Sequence, residues 1–169
     1  TLCNMTVEAG GTCGICYPDK ITTDYLWEFI RDGYPDRAAA AAAFRQWWPD
    51  PDAIYEEVVV HDVSMVEPVT TFGWKPDNVK PVREMQGTPI DQVFIGSCTN
   101  GRLEDLRSAA SVLRGRKIHP HVRAIVCPTT PKIYAQALAE GLIQIFLDAG
   151  CCVTNSTCGP CLGMSTGVL

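Results

Sequence analysis

Residues 93–127 read VFIGSCTNGRLEDLRSAASVLRGRKIHPHVRAIVC, and the spacing of their apolar side chains indicates the class of fold. Residues 93–95 predict a short buried strand, residues 102–113 predict a helix with leucine and alanine at helical spacing, and residues 122–127 predict a second strand. A strand, a helix and a second strand in this order are typical of the βαβ unit of a parallel sheet.

The same alternation continues beyond this stretch. Pro131 predicts the start of a helix, because proline is favoured in a first helical turn, and Gly141 predicts its end. Residues 142–149 fit a second short helix, and residues 151–154 fit a third strand. We therefore expect an α/β fold over residues 91–169, in which helices layer a parallel sheet.

The amino-terminal part predicts a different, mostly helical structure. Thr22 or Thr23 can cap one helix, and Gly33 can close it. Residues 37–48 contain six consecutive alanines, which strongly favour a second helix. We expect residues 1–56 to be the mostly helical part of a neighbouring domain.

Residues 57–90 predict a strand followed by a connector. The three valines at 58–60 suggest a short buried strand, and the prolines and glycines between positions 68 and 89 cannot continue a helix or a central strand. The expected division is therefore 1–56, 57–90 and 91–169, with the α/β domain truncated at its carboxyl end.

Composition excludes several classes of protein. The chain of 169 residues is 46% hydrophobic and 20% charged, as in ordinary globular proteins. A net charge of −5 without clustered lysine and arginine argues against nucleic acid as a partner. There is no uninterrupted run of about eighteen apolar residues, so we expect no membrane span.

Nine cysteines are the chemically informative feature of the composition. Their odd number, and the lack of a charged and apolar leader at the first residues, favour a reducing compartment over a disulfide framework, and we expect a cytoplasmic protein. Four of them are expected to be small buried hydrophobic residues: Cys3, Cys127, Cys151 and Cys152. At Cys127 and Cys152 we expect valine or alanine to serve equally well.

Three other cysteines lie on two loops that leave the carboxyl ends of predicted strands. Cys98 lies between Gly96 and Gly101, and Cys158 and Cys161 form a Cys-Gly-Pro-Cys pair. Open α/β sheets bind ligands at such strand ends. The pair can place two thiolates on one metal or cluster, and Cys98 can supply a third.

Two other interpretations of the cysteines stay open. Cys158 and Cys161 can form a thiol–disulfide redox pair, although no tryptophan precedes them and the glycines that follow weaken a helix. Alternatively, Cys13 and Cys16 can join them in a structural zinc site, although the gap between the two pairs is far longer than in compact zinc modules.

Three segments resemble those of a known family, the aconitase superfamily. Residues 93–106 (VFIGSCTNGRLEDL) and 157–163 (TCGPCLG) resemble its two iron–sulfur signatures, and residues 4–11 (NMTVEAGG) resemble its Asn-Met segment. The resemblance covers nearly the whole chain and is strongest to the isopropylmalate dehydratase and homoaconitase branch.

This resemblance implies a cofactor, an activity and partners. By it, Cys98, Cys158 and Cys161 hold three irons of a [4Fe–4S] cluster, and the fourth iron has no protein thiolate. The implied activity is that of a hydro-lyase, which isomerises a hydroxy-dicarboxylate by dehydration and rehydration in leucine biosynthesis. The implied partner is a small subunit that carries a swivelling domain.

The resemblance assigns no catalytic residue within these positions. Its catalytic histidines and acids, substrate-binding arginines and serine base belong to other segments, so we expect an internal fragment that is inactive alone. Cys13 and Cys16 lie outside the family pattern. The other polar candidates are expected to have structural roles, as loop-shaping, capping or surface residues: Glu8, His61, Asp62, Ser97, Thr99, Asn100, Arg102, His119 and His121.

Overall fold

The computed structural model describes residues 1–73, 75–163 and 165–168. The chain divides into two compact units. One unit combines Thr1–Thr12 with Val69–Leu169, and the other is Cys13–Pro68. The three-part division expected from the sequence stays a prediction.

The smaller unit contains the two expected helices. Helix α1 spans Lys20–Ile30, and helix α2 spans Arg37–Phe44. Short 3-10 turns follow each of them, Arg31–Gly33 and Arg45–Trp47. The alanine run therefore forms a helix, as its composition predicts, but the α-helix ends at Phe44 and a 3-10 turn carries the chain to Trp47, short of the predicted end at Trp48.

The expected cap of α1 is wrong by one turn. Asp19 caps the helix, because its carboxylate accepts a hydrogen bond from the backbone N–H of Thr22 at 2.8 Å. Thr22 and Thr23 lie inside the helix instead. A carboxylate is a strong N-cap acceptor, and its negative charge is also favoured at a helix amino terminus.

Residues 58–60 do not form the buried strand that their sequence suggests. Val58, Val59 and Val60 are exposed, Val60 by 88%, and no strand is assigned there. Among the described residues no neighbouring strand pairs with this segment, and an unpaired strand leaves its backbone groups without partners. Asp62 accepts a hydrogen bond from the Ser64 N–H at 2.9 Å and lies exposed.

Part of the expected connector forms a β-hairpin. Strand β1 (Val69–Thr71) pairs antiparallel with strand β2 (Val79–Pro81), and a 3-10 helix, Val82–Met85, follows. Both strands of a two-stranded sheet are edges, where a proline such as Pro81 is tolerated. The prolines therefore allow short edge strands in this region, which the sequence predicted only as a connector.

The larger unit carries the predicted parallel sheet. Strands β3 (Gln92–Gly96), β4 (Arg123–Cys127) and β5 (Cys152–Val153) pair in the order β3-β4-β5. The central strand β4 has four of its five residues buried. The α/β class is confirmed.

Four helices connect these strands. Helices α3 (Ser97–Asn100) and α4 (Leu103–Leu113) lie between β3 and β4, and helices α5 (Pro131–Ala139) and α6 (Leu142–Ala149) lie between β4 and β5. The one-turn helix α3 was not expected. Fully buried side chains from α4, β4 and α6 form the centre of the core: Leu106, Val126 and Phe146.

No described helix combines the length and the apolar character needed to cross a lipid bilayer.

Candidate metal centre

The three predicted ligand cysteines follow strands β3 and β5, which flank β4 in the parallel sheet. Cys98 is the second residue of α3, directly after β3. Cys158 precedes, and Cys161 lies within, a four-residue 3-10 helix, Gly159–Leu162. All three are exposed. Because the strands are parallel, both loops leave the sheet at its carboxyl edge.

The chain turns sharply between β3 and Cys98. Gly96 has φ +128°, and a Cβ atom there would lie 1.9 Å from the carbonyl oxygen of Cys127. Ser97, which is buried, has φ +66°, a left-handed conformation that is rare for a residue with a side chain. Such local strain tends to occur at functional sites. Here it aims the next residue, Cys98, away from the strand.

The amino-terminal segment packs against Cys98. Asn4 lies in a 3-10 turn, and its Oδ1 is 3.8 Å from Sγ of Cys98. The Thr99 hydroxyl donates a hydrogen bond to the same Oδ1 and lies 3.8 Å from the sulfur. The Asn-Met segment, identified in the sequence only by resemblance, thus belongs to the surroundings of this thiol.

These two neighbours lower the pKa of the Cys98 thiol below its usual value. The larger effect comes from the Thr99 hydroxyl and the second from the Asn4 side chain. The Thr99 hydroxyl lies within hydrogen-bond reach of the sulfur, and the Cys98 S–H donates to Oδ1 of Asn4. The thiolate is the form of cysteine that binds metal.

Arg102 has the capping role expected for it. It is the N-cap of α4, where its backbone N–H donates to Oδ2 of Asp105 at 3.2 Å and its Nε donates to the same oxygen at 3.1 Å. Its Nη2 also donates to the Thr1 hydroxyl at 3.1 Å. The arginine therefore links the helix after the Cys98 loop to the segment that carries Asn4.

Cys127 is buried as predicted, but its environment is polar on one side. Its Sγ lies 3.0 Å from the carbonyl oxygen of Thr157 and 3.2 Å from that of Asn155. The Thr157 N–H also donates to this sulfur at 3.4 Å. The expectation that valine or alanine would serve equally is therefore wrong, since neither can make these bonds. One feature of the sequence could have indicated this polar role: Cys127 lies at the end of a strand, between the loops that carry Cys98 and Cys158.

The other cysteines divide differently from the prediction. Cys151 is buried, and burial raises the pKa of its thiol. Cys3 and Cys152 are exposed, contrary to expectation. Cys3 precedes a short terminal turn, and Cys152 lies on a two-residue strand at the edge of the sheet, so neither has enough neighbours to cover it.

The Cys13 and Cys16 pair lies in the smaller unit, where both residues are exposed. His119 and His121 are also exposed, as expected, and the His121 N–H donates to Nδ1 of His119 at 3.3 Å. Glu8 lines an open cavity in the larger unit, together with Met5 and Lys75. None of these residues contacts the three predicted ligands in a described hydrogen bond.

The donor set fits an iron–sulfur cluster in its chemistry. Among the described residues, no three His, Cys, Asp or Glu side chains are gathered as ligands of a metal ion. A [4Fe–4S] cluster needs a wider arrangement, because each cysteine binds a separate iron. Soft thiolates are the ligands that such clusters use, and the three exposed cysteines at one edge of the sheet offer them.

The thiol–disulfide interpretation gains little from the geometry. The N–H of Cys161 donates to the carbonyl oxygen of Cys158 at 3.2 Å, so the two residues share a tight turn. That turn continues only to Leu162, and Gly163 then adopts a left-handed conformation. A redox dithiol of the thioredoxin kind needs a long helix after it, and this helix has four residues.

Comparison with known proteins gives consistent matches along the chain. The model of the aconitase family (aconitate hydratase) matches residues 1–89 and 78–169. The chain is 64% identical to the 3-isopropylmalate dehydratase large subunit of Geotalea uraniireducens, 65% to that of Geobacter sulfurreducens and 66% to that of Desulfosudis oleivorans. Each alignment covers all 169 residues of this chain and 39% or 40% of the relative. The chain thus spans about 40% of the length of the curated relatives that it matches.

Proposed function

Because this chain belongs to the aconitase family, we propose that it forms the cluster-binding part of a [4Fe–4S] hydro-lyase. The substrate class that we propose is a hydroxy-dicarboxylate of the 3-isopropylmalate type, isomerised by dehydration and rehydration in leucine biosynthesis. The names of three relatives that are 64–66% identical support this choice.

One structural observation carries the proposal. Cys98 and the Cys158 and Cys161 pair follow the two outer strands of one parallel sheet and leave it at the same edge. Residues that are 60 or more positions apart in sequence thereby follow strands that end at one edge of the sheet, and their thiols are exposed. Such an edge is where α/β proteins bind their ligands.

Each of the three cysteines would bind one iron. When the cluster is bound, its fourth iron has no protein thiolate and can act as a Lewis acid on the hydroxyl group of the substrate. A fourth cysteine ligand would occupy that position and leave a centre suited only to electron transfer. The three-cysteine set therefore supports dehydration chemistry over redox chemistry.

Residues around the three cysteines favour their binding of a cluster. The turn at Gly96 and Ser97 directs Cys98 out of the sheet. Thr99 and Asn4 stabilise its thiolate, which is the form that binds iron. The glycine and proline between Cys158 and Cys161 are both buried, so that the turn is anchored while its two thiols face outwards.

Two partners complete the proposal. The relatives are named large subunits, and on that ground we propose a small subunit as the protein partner. The other partner is the substrate itself. We also propose a cytoplasmic location, because exposed thiols persist in a reducing compartment.

Anaerobic reconstitution with ferrous iron and sulfide tests the proposal. The wild-type protein should bind about four irons per chain and develop the broad visible absorbance of such clusters. Cys98→Ser, Cys158→Ser and Cys161→Ser should each remove most of that absorbance.

The matched control is Cys152→Ser, which makes the same change at another exposed cysteine of the same unit. It should bind as much iron as the wild type. A folded wild-type protein that takes up no iron, or equal uptake by Cys98→Ser and Cys152→Ser, would contradict the proposal.

A further inference from the structure

The end of strand β4 contacts both cysteine loops. The strand lies between β3 and β5 and finishes at Cys127. Its last residue is fully buried, so its thiol cannot serve as an exposed ligand beside Cys98 and Cys158. The contacts of its backbone and of its side chain point to a different role.

The backbone after β4 holds the Cys98 loop. A Cβ atom on Gly96 would lie 1.9 Å, and one on Gly101 2.6 Å, from the carbonyl oxygen of Cys127. Thr129, two residues further on, donates its hydroxyl to the carbonyl oxygen of Ser97 and its N–H to that of Gly101, both at 2.9 Å. Both ends of the Cys98 loop are therefore fastened to this segment.

The side chain of Cys127 holds the other loop. Its sulfur accepts the N–H of Thr157, the residue before Cys158, at 3.4 Å. Its S–H group has one proton, which can be donated to the carbonyl oxygen of Thr157 at 3.0 Å or of Asn155 at 3.2 Å. Cysteine can both donate and accept in this way. A buried valine could do neither, and would leave these backbone groups without the partner they have.

We infer that Cys127 is a positioning residue, whose buried thiol fixes the Cys158 loop relative to the Cys98 loop. The inference rests on the proposed function in one respect: the two loops matter because they would carry the cluster ligands. It does not depend on the cluster for its geometry, because every contact described is between protein atoms. Cys127 acts through its neighbours and touches no substrate.

Three variants separate the hydrogen bonds from the volume of the side chain. Cys127→Val removes the donor and the acceptor and adds one methyl group, which the Cys151→Val control adds as well. Cys127→Ser keeps both in a shorter side chain. Cys151→Val is the matched control, because Cys151 is the other buried cysteine of the same unit and its thiol has no described hydrogen bond.

The first measurement is amide hydrogen exchange in the iron-free protein. The Thr157 N–H should be protected in the wild type although this residue is exposed, and it should exchange about fivefold faster in Cys127→Val. Cys127→Ser should stay within about twofold of the wild type, and Cys151→Val should match it. An unprotected Thr157 amide in the wild type overturns the inference, and this result stands even if no variant folds.

The second measurement is iron content after anaerobic reconstitution and desalting. Cys127→Val should keep less than about half of the wild-type iron, whereas Cys127→Ser and Cys151→Val should keep most of it. The inference is overturned if Cys127→Val and Cys151→Val keep the same iron content and show the same exchange rate of the Thr157 amide. It is also overturned if Cys127→Ser folds but matches Cys127→Val in both measurements. A wild-type protein that binds no iron contradicts the proposed function alone, because the exchange of Thr157 still decides the role of Cys127.

Discussion

Asn4 and Cys98 are 94 residues apart in the chain, and their side chains lie 3.8 Å apart. The hydroxyl of Thr99 bonds to the same oxygen of Asn4, so the three side chains form one small polar group at the start of α3. This group joins the amino terminus to the Cys98 loop. It also gives Cys98 an environment that favours the thiolate.

The lowered pKa of Cys98 predicts a distinct pH profile of alkylation. In the iron-free protein, the reaction of Cys98 with iodoacetamide should persist to lower pH than that of an ordinary thiol, whose pKa is about 8.5. Thr99→Val removes the larger stabilising contact and should move the profile to higher pH. Asn4→Ala should move it in the same direction by less.

Peptide mass spectrometry after timed alkylation measures this profile for Cys98 by itself. Thr70→Val, the same change in strand β1, is the control and should leave the midpoint unchanged. If Thr99→Val and Thr70→Val have the same midpoint, the Thr99 hydroxyl does not stabilise the Cys98 thiolate.

Gly96 lies so close to the carbonyl oxygen of Cys127 that one added methyl group should lower the stability of the fold strongly. Gly96→Ala places a Cβ 1.9 Å from a backbone oxygen, which cannot move without breaking the pairing of β3 with β4. We expect a loss of at least about 3 kcal/mol in the free energy of unfolding. Gly141→Ala is the control: its φ is also positive, at +74°, but nothing lies within 4 Å. It should cost about 1 kcal/mol. Urea denaturation compares the two variants, and similar losses would rule out the steric explanation.

An ion pair between α4 and the end of α5 predicts a pH-dependent contribution to stability. Arg107 donates from Nε and Nη2 to the two carboxylate oxygens of Glu140, at 2.8 and 2.6 Å. The hydrogen bond from Arg107 lowers the pKa of Glu140. A carboxyl with a lowered pKa stabilises the fold above its unfolded-state pKa, and this stabilisation is lost as the pH falls through the lowered value.

Glu140→Gln should therefore lower the thermal midpoint slightly at pH 7, and by less at pH 3, where more of the carboxyl is protonated. The effect is small because both side chains are substantially exposed. Glu84→Gln removes the same charge at a position without a described ion pair, and it should change the midpoint less at pH 7. Thermal unfolding followed by circular dichroism at both pH values provides the test, and a Glu140→Gln effect as large at pH 3 as at pH 7 would exclude the ion pair as its cause.

The alternating half of the fold was predictable from the sequence, and the reasons are local. Strands β3 and β4 and helices α4 and α5 have the apolar periodicity, the proline start and the glycine stop that their conformations need. The spacing of apolar residues indicates which face is buried, because buried positions recur about every 3.6 residues in a helix and every second residue in a strand.

Features that depend on distant neighbours were not predictable in this way. The valines at 58–60 have the composition of a strand, but a strand also needs a partner, which composition does not provide. Cys127 lies in an apolar strand and so is predicted as an ordinary core residue. Its hydrogen-bonding role depends on the carbonyl oxygens of Asn155 and Thr157, which lie about 30 residues further along the chain. The same holds for Asn4, whose role became visible once the amino terminus was seen against Cys98.

We propose that Cys98, Cys158 and Cys161 hold a cluster whose fourth iron has no cysteine ligand. Mössbauer spectroscopy of the protein reconstituted with ⁵⁷Fe, before and after addition of excess cyanide, examines that iron, because a small anion can bind an open iron without the substrate-binding arginines that the family resemblance assigns to other segments. We predict that about one quarter of the iron signal shifts on addition of cyanide and that the rest does not. A cluster whose irons all keep their spectrum in excess cyanide would show that none of them is open.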